Sequence, residues 1–520
     1  MKIILFLAIA SALIAALIQF GLYKITKNRD IMLFIPVILA VPTIFIFVRY
    51  GNISILAKEA GYWLAAMFFG VPAVIGSLCS GIYIKKSKKY RSCLMNLMAI
   101  KTPCSCGQNH KNVTETIIIQ KNISQNLINF IKSYFGNNSK GCIICDNNTH
   151  KAAGNMIYAV NSAVLCEVVK LEIKSHHADE FMIEMCDDII KNINCDYYIA
   201  CGSGTIHDIT RVIAHKYNKP FISYPTASSV DGFVSDIAPV TTKNGMKITL
   251  PAVAPVALFA DISVIVKAPK RLTASGAGDI LGKYIALADW RIANLLTGEY
   301  ICGDIIKYEY EAVNKVKDSL LELGGDAQTP VGVADTPFQK GAYEKFCGDL
   351  IEALVGSGLC MQYIGNSRPA SGAEHHIAHF FEMGIILESD YLHGENVGIG
   401  SVLCADLYHR FANSEKIKFI GNYDIENDLI KEYYKDMYDE IIKENAPNSV
   451  KNITPEIFYN NSDKIKNIIF DIPSKEEFIQ FLNIIDGVTD IKCDKKLVFK
   501  LAPYIRDRLT LLKLMRCIEF

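Results

Sequence analysis

Four residues suited to binding a divalent metal stand far apart in this 520-residue chain: Asp279 in SGAGDILGK, His375 and His379 in SGAEHHIAH, and His393 in LHGENVGIG. His375 and His379 are four apart, a spacing that puts both imidazoles on one face of a helix. A carboxylate and a third imidazole delivered from other helices would complete a metal site with one position left open. Asp279 lies in an otherwise apolar helical stretch, DILGKYIALADW, where a carboxylate is costly unless paired or ligated. A lone histidine is ordinarily a packed or surface residue. The four within residues 375–393, counting His376, follow an isolated helical aspartate and together favour a site.

A second chemistry lies upstream. GSGT at residues 202–205 follows an apolar run and opens a helical one. Its glycines let backbone N–H groups approach a pyrophosphate, and the helix N-terminus favours the anion. Alone the signal is weak, because the third glycine of GxGxxG is missing. Asp146, ending GCIICD, suits a ribose, or equally a turn before Asn147 and Asn148. PTASSVDGFVSD gathers Thr226, Ser228, Ser229, Asp231 and Ser235 after another strand. Those residues suit a cofactor or polyol, or a capped loop.

Alternating elements must carry these residues. ISQNLINFIKSYF has helical periodicity, GCIICD and CDYYIAC read as strands, IHDITRVIAHKY as a helix, KPFISYP and VALFAD as strands. Such βα units predict a parallel, Rossmann-like sheet. VTTKNGMKITL reads as a hairpin, with Asn244-Gly245 supplying the positive φ values of a tight turn. Beyond about residue 268 nearly every segment is helical. The expected division is a nucleotide-binding domain at 100–267 and a helical metal- and substrate-binding domain at 268–520, with the cleft between them.

Lysine plus arginine equals aspartate plus glutamate, 54 each, so no basic field argues for nucleic acid. Mean hydropathy is high, +0.20, and its source is local. Residues 3–22, 31–48 and 62–84 are long apolar runs that predict three transmembrane helices in a segment 1–90. Lys24, Lys27 and Arg29 follow the first run, and Lys85, Lys86, Lys88, Lys89 and Arg91 follow the third. Only Arg49 and Lys58 lie between the second and third. Positive-inside bias then predicts a multi-pass membrane protein, bound to the bilayer through residues 1–90, with its catalytic part cytoplasmic. The 16 cysteines fit a reduced compartment. Cys142 and Cys145 fall in a strand and read as core. Cys104, Cys106 and His110 in CSCGQNH could begin a zinc knuckle, but the sequence shows no fourth ligand.

The ordered set GSGT, PTASSVDG, SGAGDILGK, SGAEHHIAHF and LHGENVGIG, with PYIRDRLTLLKLM near the C-terminus, resembles the sn-glycerol-1-phosphate dehydrogenase family. That family belongs with the metal-dependent polyol dehydrogenases and dehydroquinate synthases, and the likeness covers about residues 100–520. It implies a Rossmann-like domain plus a helical domain, NAD(H) or NADP(H), one divalent ion (zinc, with nickel or iron also compatible), and self-association. It implies reversible reduction of dihydroxyacetone phosphate to sn-glycerol 1-phosphate, a product that can serve lipid synthesis.

By the same resemblance, Asp279, His375 and His393 match the metal ligands, while Asp231 and His379 match substrate-side residues. Gly202, Gly204, Thr205, Ile206, His207, Asp208, Thr226, Ala227, Ser228, Ser229 and Ser235 match the cofactor segments, with Asp146 added on its own chemistry. Lys247 and Arg368 are candidate cofactor or phosphate contacts, argued from charge alone. Glycerol dehydrogenase, a dehydroquinate synthase-like enzyme and a membrane-anchored nucleotide or sugar-phosphate sensor remain as alternatives. Synthases usually carry Glu where Asp279 stands, and a sensor need not keep an open metal position.

Overall fold

Six parallel strands form the sheet that receives the GSGT turn. They are β1 (Thr116–Gln120), β2 (Lys140–Asp146), β3 (Leu165–Leu171), β4 (Tyr197–Gly202), β5 (Phe221–Pro225) and β8 (Ala257–Asp261), in the order β1-β8-β5-β4-β2-β3. The computed structural model describes residues 93–98, 100 and 103–520, apart from 174, 325–336, 388–389 and 422–424. Two compact units divide at Met98 and Ala99, and the sheet belongs to the second.

The strands form where they do because a parallel sheet is covered on both faces, so its strands can be apolar throughout. β4, β5 and β8 are buried at every position. One face carries Ile143, Ile199, Ile222 and Phe259 under helices α1 (Ser124–Tyr134) and α3 (Gly154–Ala163); α2 (Asn147–Ala152) lies between these in sequence. The other face carries Ile144, Tyr198, Ala200 and Phe221 under α4 (Glu180–Ile190) and α5 (Gly204–Lys216). The chain leaves β2 towards β3 on one side, then returns through β4 to β5 on the other. That reversal opens a crevice outside the C-terminal ends of β2 and β4, where Asp146 and the GSGT turn stand.

A separate antiparallel ribbon, β6 (Ile237–Thr241) and β7 (Lys247–Pro251), is the expected hairpin. Its turn differs from the expectation: of Asn244 and Gly245, only Gly245 has positive φ, at 86°. The loop is longer than two residues, closed by Met246 C=O accepting from Thr242 N–H at 2.9 Å.

The helical part contains α6 (Lys270–Leu281), α7 (Lys283–Thr297), α8 (Gly303–Gly324), α9 (Pro337–Ile364), α10 (Ala373–Glu382) and α11 (His393–Ala412). His393, in the glycine-rich LHGENVGIG, is the first residue of the 20-residue α11. The glycines serve packing. A Cβ on Gly278 of α6 would sit 2.1 Å from the Gly394 carbonyl oxygen, and one on Gly394 would sit 1.8 Å from that of Ser275. Bare glycine backbones let α6 and α11 touch, which brings Asp279 and His393 together.

The multi-pass placement is corrected. Among the described residues no helix is long and apolar enough to cross a membrane. The longer helices interleave charges with their apolar residues, as in KYEYEAVNKVKDSLLE of α8, so no uninterrupted apolar span forms. The runs at 3–22, 31–48 and 62–84 lie outside the described residues.

Candidate active site

α6, α10 and α11 each deliver one donor to a common point. The ligand atoms of Asp279, His375 and His393 all lie within 4.8 Å of one another. His375 Nε2 is 3.7 Å from Asp279 Oδ1. Each histidine is oriented through its other nitrogen. His375 Nδ1–H donates to Glu374 Oε1 at 2.7 Å, and His393 Nδ1–H to Glu382 Oε1 at 2.6 Å. A carboxylate on Nδ1 fixes the tautomer and leaves Nε2 as the lone-pair donor. His379 follows the same pattern, donating Nδ1–H to Glu382 Oε2 at 3.0 Å.

The electrostatics suit a cation. Burial, followed by the charge of Lys283, pushes His375 down to about 3; burial holds His379 at about 4. Both imidazoles are therefore neutral near pH 7, the form that ligates. Burial alone would raise Asp279, but Lys283, His393 and His375 hold it at about 2, ionised. Burial likewise opposes the charge on Glu382, yet Lys247, His177 and His393 hold it well below the usual carboxylate range. Burial opposes a charge on His393, but Glu382 and Asp279 raise it above the ordinary imidazole value, so a bound cation would displace its Nε2 proton. Two imidazoles and a carboxylate around one point make a donor set that fits a divalent metal.

Lys283, one turn beyond Asp279, ties the site to its neighbour. Its fully buried ammonium donates to Asp279 Oδ1 and Asp231 Oδ2, both at 2.8 Å, and to the Ala370 carbonyl at 3.0 Å. Asp231 N–H in turn donates to Asp279 Oδ2 at 3.0 Å. Burial opposes the charge on Lys283, but the two aspartates raise its pKa above the ordinary lysine value. It is a buried cation held between two aspartates.

Two adjoining cavities meet here. The crevice at the sheet edge is lined by Asp146, Gly204, Thr205, Thr226, Ala227 and Ser229, among others; the second pocket by Asp208, Asp231, Ser235, Lys247, His375, His379 and Arg506. Gly204, Thr205, Val230 and His393 line both, so His393 stands at their junction. The hydroxyls of Ser228 and Ser229 are buried with no hydrogen-bond partner among the described residues, polar atoms that a ligand would satisfy.

Not every expected cofactor residue faces the crevice. Ile206 is core, and His207 is fully buried, its ring bonded to the Ser203 carbonyl at 2.9 Å and Ser223 Oγ at 2.8 Å. Gly202 works by close approach: a Cβ there would meet Ile206 at 2.6 Å. Asp208 and Ser235 line the second pocket instead. Asp146 caps α2, accepting from Asn148 and Thr149 N–H at 2.7 and 2.9 Å, while also lining the crevice.

The charge-based phosphate contacts divide. Lys247 lines the pocket but pairs with Glu382 at 2.9 Å. Arg368 lines neither cavity; its guanidinium pairs with Glu299, Nε to Oε1 at 2.6 Å. The cation on the pocket wall is Arg506 in PYIRDRL, with Arg508 two residues on and outside both cavities. Arg506 binds Thr249 Oγ1 at 3.0 Å, and Arg508 binds Ser367 Oγ at 3.0 Å and the Ser371 carbonyl at 2.7 Å. Burial, then Arg506 and Arg368, pushes Arg508 down to about 9.

Sequence reading missed Lys283, Glu374, Glu382 and these arginines. A faint signal existed for the first three: Lys283 is four from Asp279, Glu374 precedes His375, and Glu382 is three from His379.

A family profile described as iron-containing alcohol dehydrogenase matches residues 118–269. Glycerol-1-phosphate dehydrogenase (NAD(P)+) of Bacillus velezensis is 38% identical over 310 residues, 58% of this chain and 74% of that one. The Pyrococcus horikoshii enzyme of the same name is 34% identical over 292 residues, 56% and 78% of the two chains. Among solved structures, a probable glycerol dehydrogenase from Sinorhizobium meliloti 1021 is more distant, at 18% identity and a TM-score of 0.43 over 75% of this chain and 95% of its own. Identity at this level, across about three quarters of its relatives' length, places this chain in the glycerol-1-phosphate dehydrogenase family.

Proposed function

We propose that this chain reduces dihydroxyacetone phosphate to sn-glycerol 1-phosphate, reversibly, with NADH or NADPH. The carrying observation is the convergence of Asp279, His375 and His393 where the sheet-edge crevice meets a pocket walled by arginine. In this reading residues 100–267 bind the nucleotide and residues 268–520 bind metal and substrate. Asp279, His375 and His393 hold one divalent ion, zinc in the first instance, with nickel or iron accepted by the same donors.

When bound, the ion supplies Lewis-acid stabilisation of negative charge at the C2 oxygen, and the dihydronicotinamide supplies hydride. The protein's own residues do the rest. Gly204, Thr205, Thr226, Ala227 and Ser229 cradle the dinucleotide, with the α5 N-terminus towards its phosphates. Asp231, fixed by Lys283 and by Ser357 Oγ at 3.3 Å, accepts a substrate hydroxyl. His379 Nε2 relays a proton between water and the C2 oxygen, while Glu382 holds its Nδ1–H. Arg506, which hydrogen-bonds the Ser367 and Thr249 hydroxyls, takes the phosphate, and Arg508 strengthens the field.

That arginine wall favours a phosphorylated substrate over free dihydroxyacetone. Arg506→Ala should raise KM for dihydroxyacetone phosphate by about 10–100-fold, the loss of a charged hydrogen bond, and leave turnover of dihydroxyacetone unchanged. Equal effects on both substrates would remove the phosphate assignment.

A further inference from the structure

CSCGQNH gains in the fold the fourth ligand that the sequence does not reveal. Cys302, 198 residues after Cys104, stands just before α8 with its sulfur 3.7 Å from that of Cys104. Cys106 Sγ lies 3.3 Å from His110 Nε2. The ligand atoms of Cys104, Cys106, His110 and Cys302 all fall within 4.8 Å of one another. Cys104, Cys106 and Cys302 are free, and 3.7 Å is far too long for a disulfide. Around tetrahedral zinc, with Zn–S bonds of about 2.3 Å, neighbouring sulfurs would be about 3.8 Å apart. Cys104 and Cys302 already stand at that spacing.

The surroundings match a built site. His110 donates Nδ1–H to the Tyr363 carbonyl at 2.9 Å, which leaves Nε2 as the donor facing the sulfurs. The ligand loop is set by a tight turn: Gly107, at φ 84°, donates its N–H to the Cys104 carbonyl at 2.9 Å, and Cys104 N–H bonds the Gln108 carbonyl at 2.9 Å. Tyr300 O–H lies 3.0 Å from Cys106 Sγ, placed to donate to a thiolate. Asp304 approaches Cys104 Sγ at 3.3 Å but also accepts from Ser105 Oγ at 2.7 Å, a partner it keeps when the thiol ionises. Cys104, His110 and Cys302 are buried, as structural zinc ligands usually are.

We propose that Cys104, Cys106, His110 and Cys302 bind one zinc ion in a closed, structural site. All four positions are filled by protein, so no place is left for substrate, unlike the three-ligand site in the cleft. The ion clips the segment ahead of β1 to the turn between α7 and α8, joining the start of the sheet half to the helical half. Zinc binding takes up three thiolates and releases their protons.

The test uses the full chain produced in cobalt-supplemented medium, because cobalt(II) bound to thiolate gives an intense near-ultraviolet charge-transfer band that a His/Asp site cannot. The expected result is that band, with about two metal equivalents per chain. Cys302→Ser and Cys106→Ser should each lose the band and about one equivalent. His393→Ala should keep the band while losing the other equivalent, which separates this site from the one proposed for catalysis. Absence of the band from the unsubstituted protein, or a Cys104–Cys302 disulfide in it, overturns the proposal whatever the variants do.

Discussion

At the residue scale the site is organised by a few buried carboxylates. Glu382 is the main one, because it accepts from His379 and His393 and pairs with Lys247. Loss of such a partner typically weakens metal binding or activity by about 10–100-fold. Glu382→Gln should therefore lower metal affinity by that order, measured by competition with a chromophoric chelator, while His393→Ala should abolish metal retention at the cleft and turnover together. An unchanged affinity in Glu382→Gln would show that His393 needs no orienting partner. Asp279, His375, His379 and His393 were legible in the sequence because polar groups in apolar, helix-periodic stretches stand out. Glu374 and Glu382 were not. A glutamate on a helix is usually solvated, and only the packing of α10 against its neighbours buries these two. Lys247 was legible as a pocket residue but its partner was not, since the pair joins the hairpin to α10.

At the element scale the positions of α6, α10 and α11 are set by close backbone contact and by capping. Gly278→Ala puts a methyl 2.1 Å from a carbonyl oxygen, which cannot rotate away as a side chain would. Forced apart, the helices should lose about 1–3 kcal/mol, read as a lower denaturant midpoint, and metal affinity should fall with it. Asp289 fixes the start of α10, accepting from Ala373 N–H at 2.8 Å, Leu511 N–H at 2.8 Å and Tyr408 O–H at 3.0 Å. Burial raises its carboxyl to about 7. In the unfolded chain it titrates near about 3.9, so the folded state holds the proton more tightly. This contribution is present below the unfolded value and lost as pH rises through about 7. Asp289→Asn should thus gain relative to the unsubstituted protein between about pH 4 and pH 7; a stability gap that stays constant would contradict a raised carboxyl. Strands β2, β4, β5 and β8 were readable from continuous apolar runs, and the hairpin from Asn244-Gly245; β1 and β3, at the sheet's edges and only partly buried, were not. The N-terminus of α11 was not, because glycines that serve helix contact look in sequence like glycines that break helices.

At the scale of the whole molecule, the sheet, the helical half and every cleft residue lie after residue 98, in one compact unit. A chain beginning at Ala99 should retain turnover; a folded but inactive truncation would show that the preceding segment takes part in catalysis. The parallel sheet followed by helices was readable from the order of elements, whereas the membrane placement rested on runs outside the described residues. The joining of distant segments was not readable at all. Arg506 reaches Thr249 across 257 residues, and Cys302 reaches Cys104 across 198. The central claim is metal-assisted hydride transfer to a phosphorylated ketone, and its most direct test follows NADH and NADPH absorbance with dihydroxyacetone phosphate, before and after chelation and metal restoration. The expected result is rapid oxidation of reduced nicotinamide with sn-glycerol 1-phosphate as product, lost on chelation and regained with a divalent ion. Full activity in protein free of cleft metal, or no oxidation with the metal restored, would contradict it.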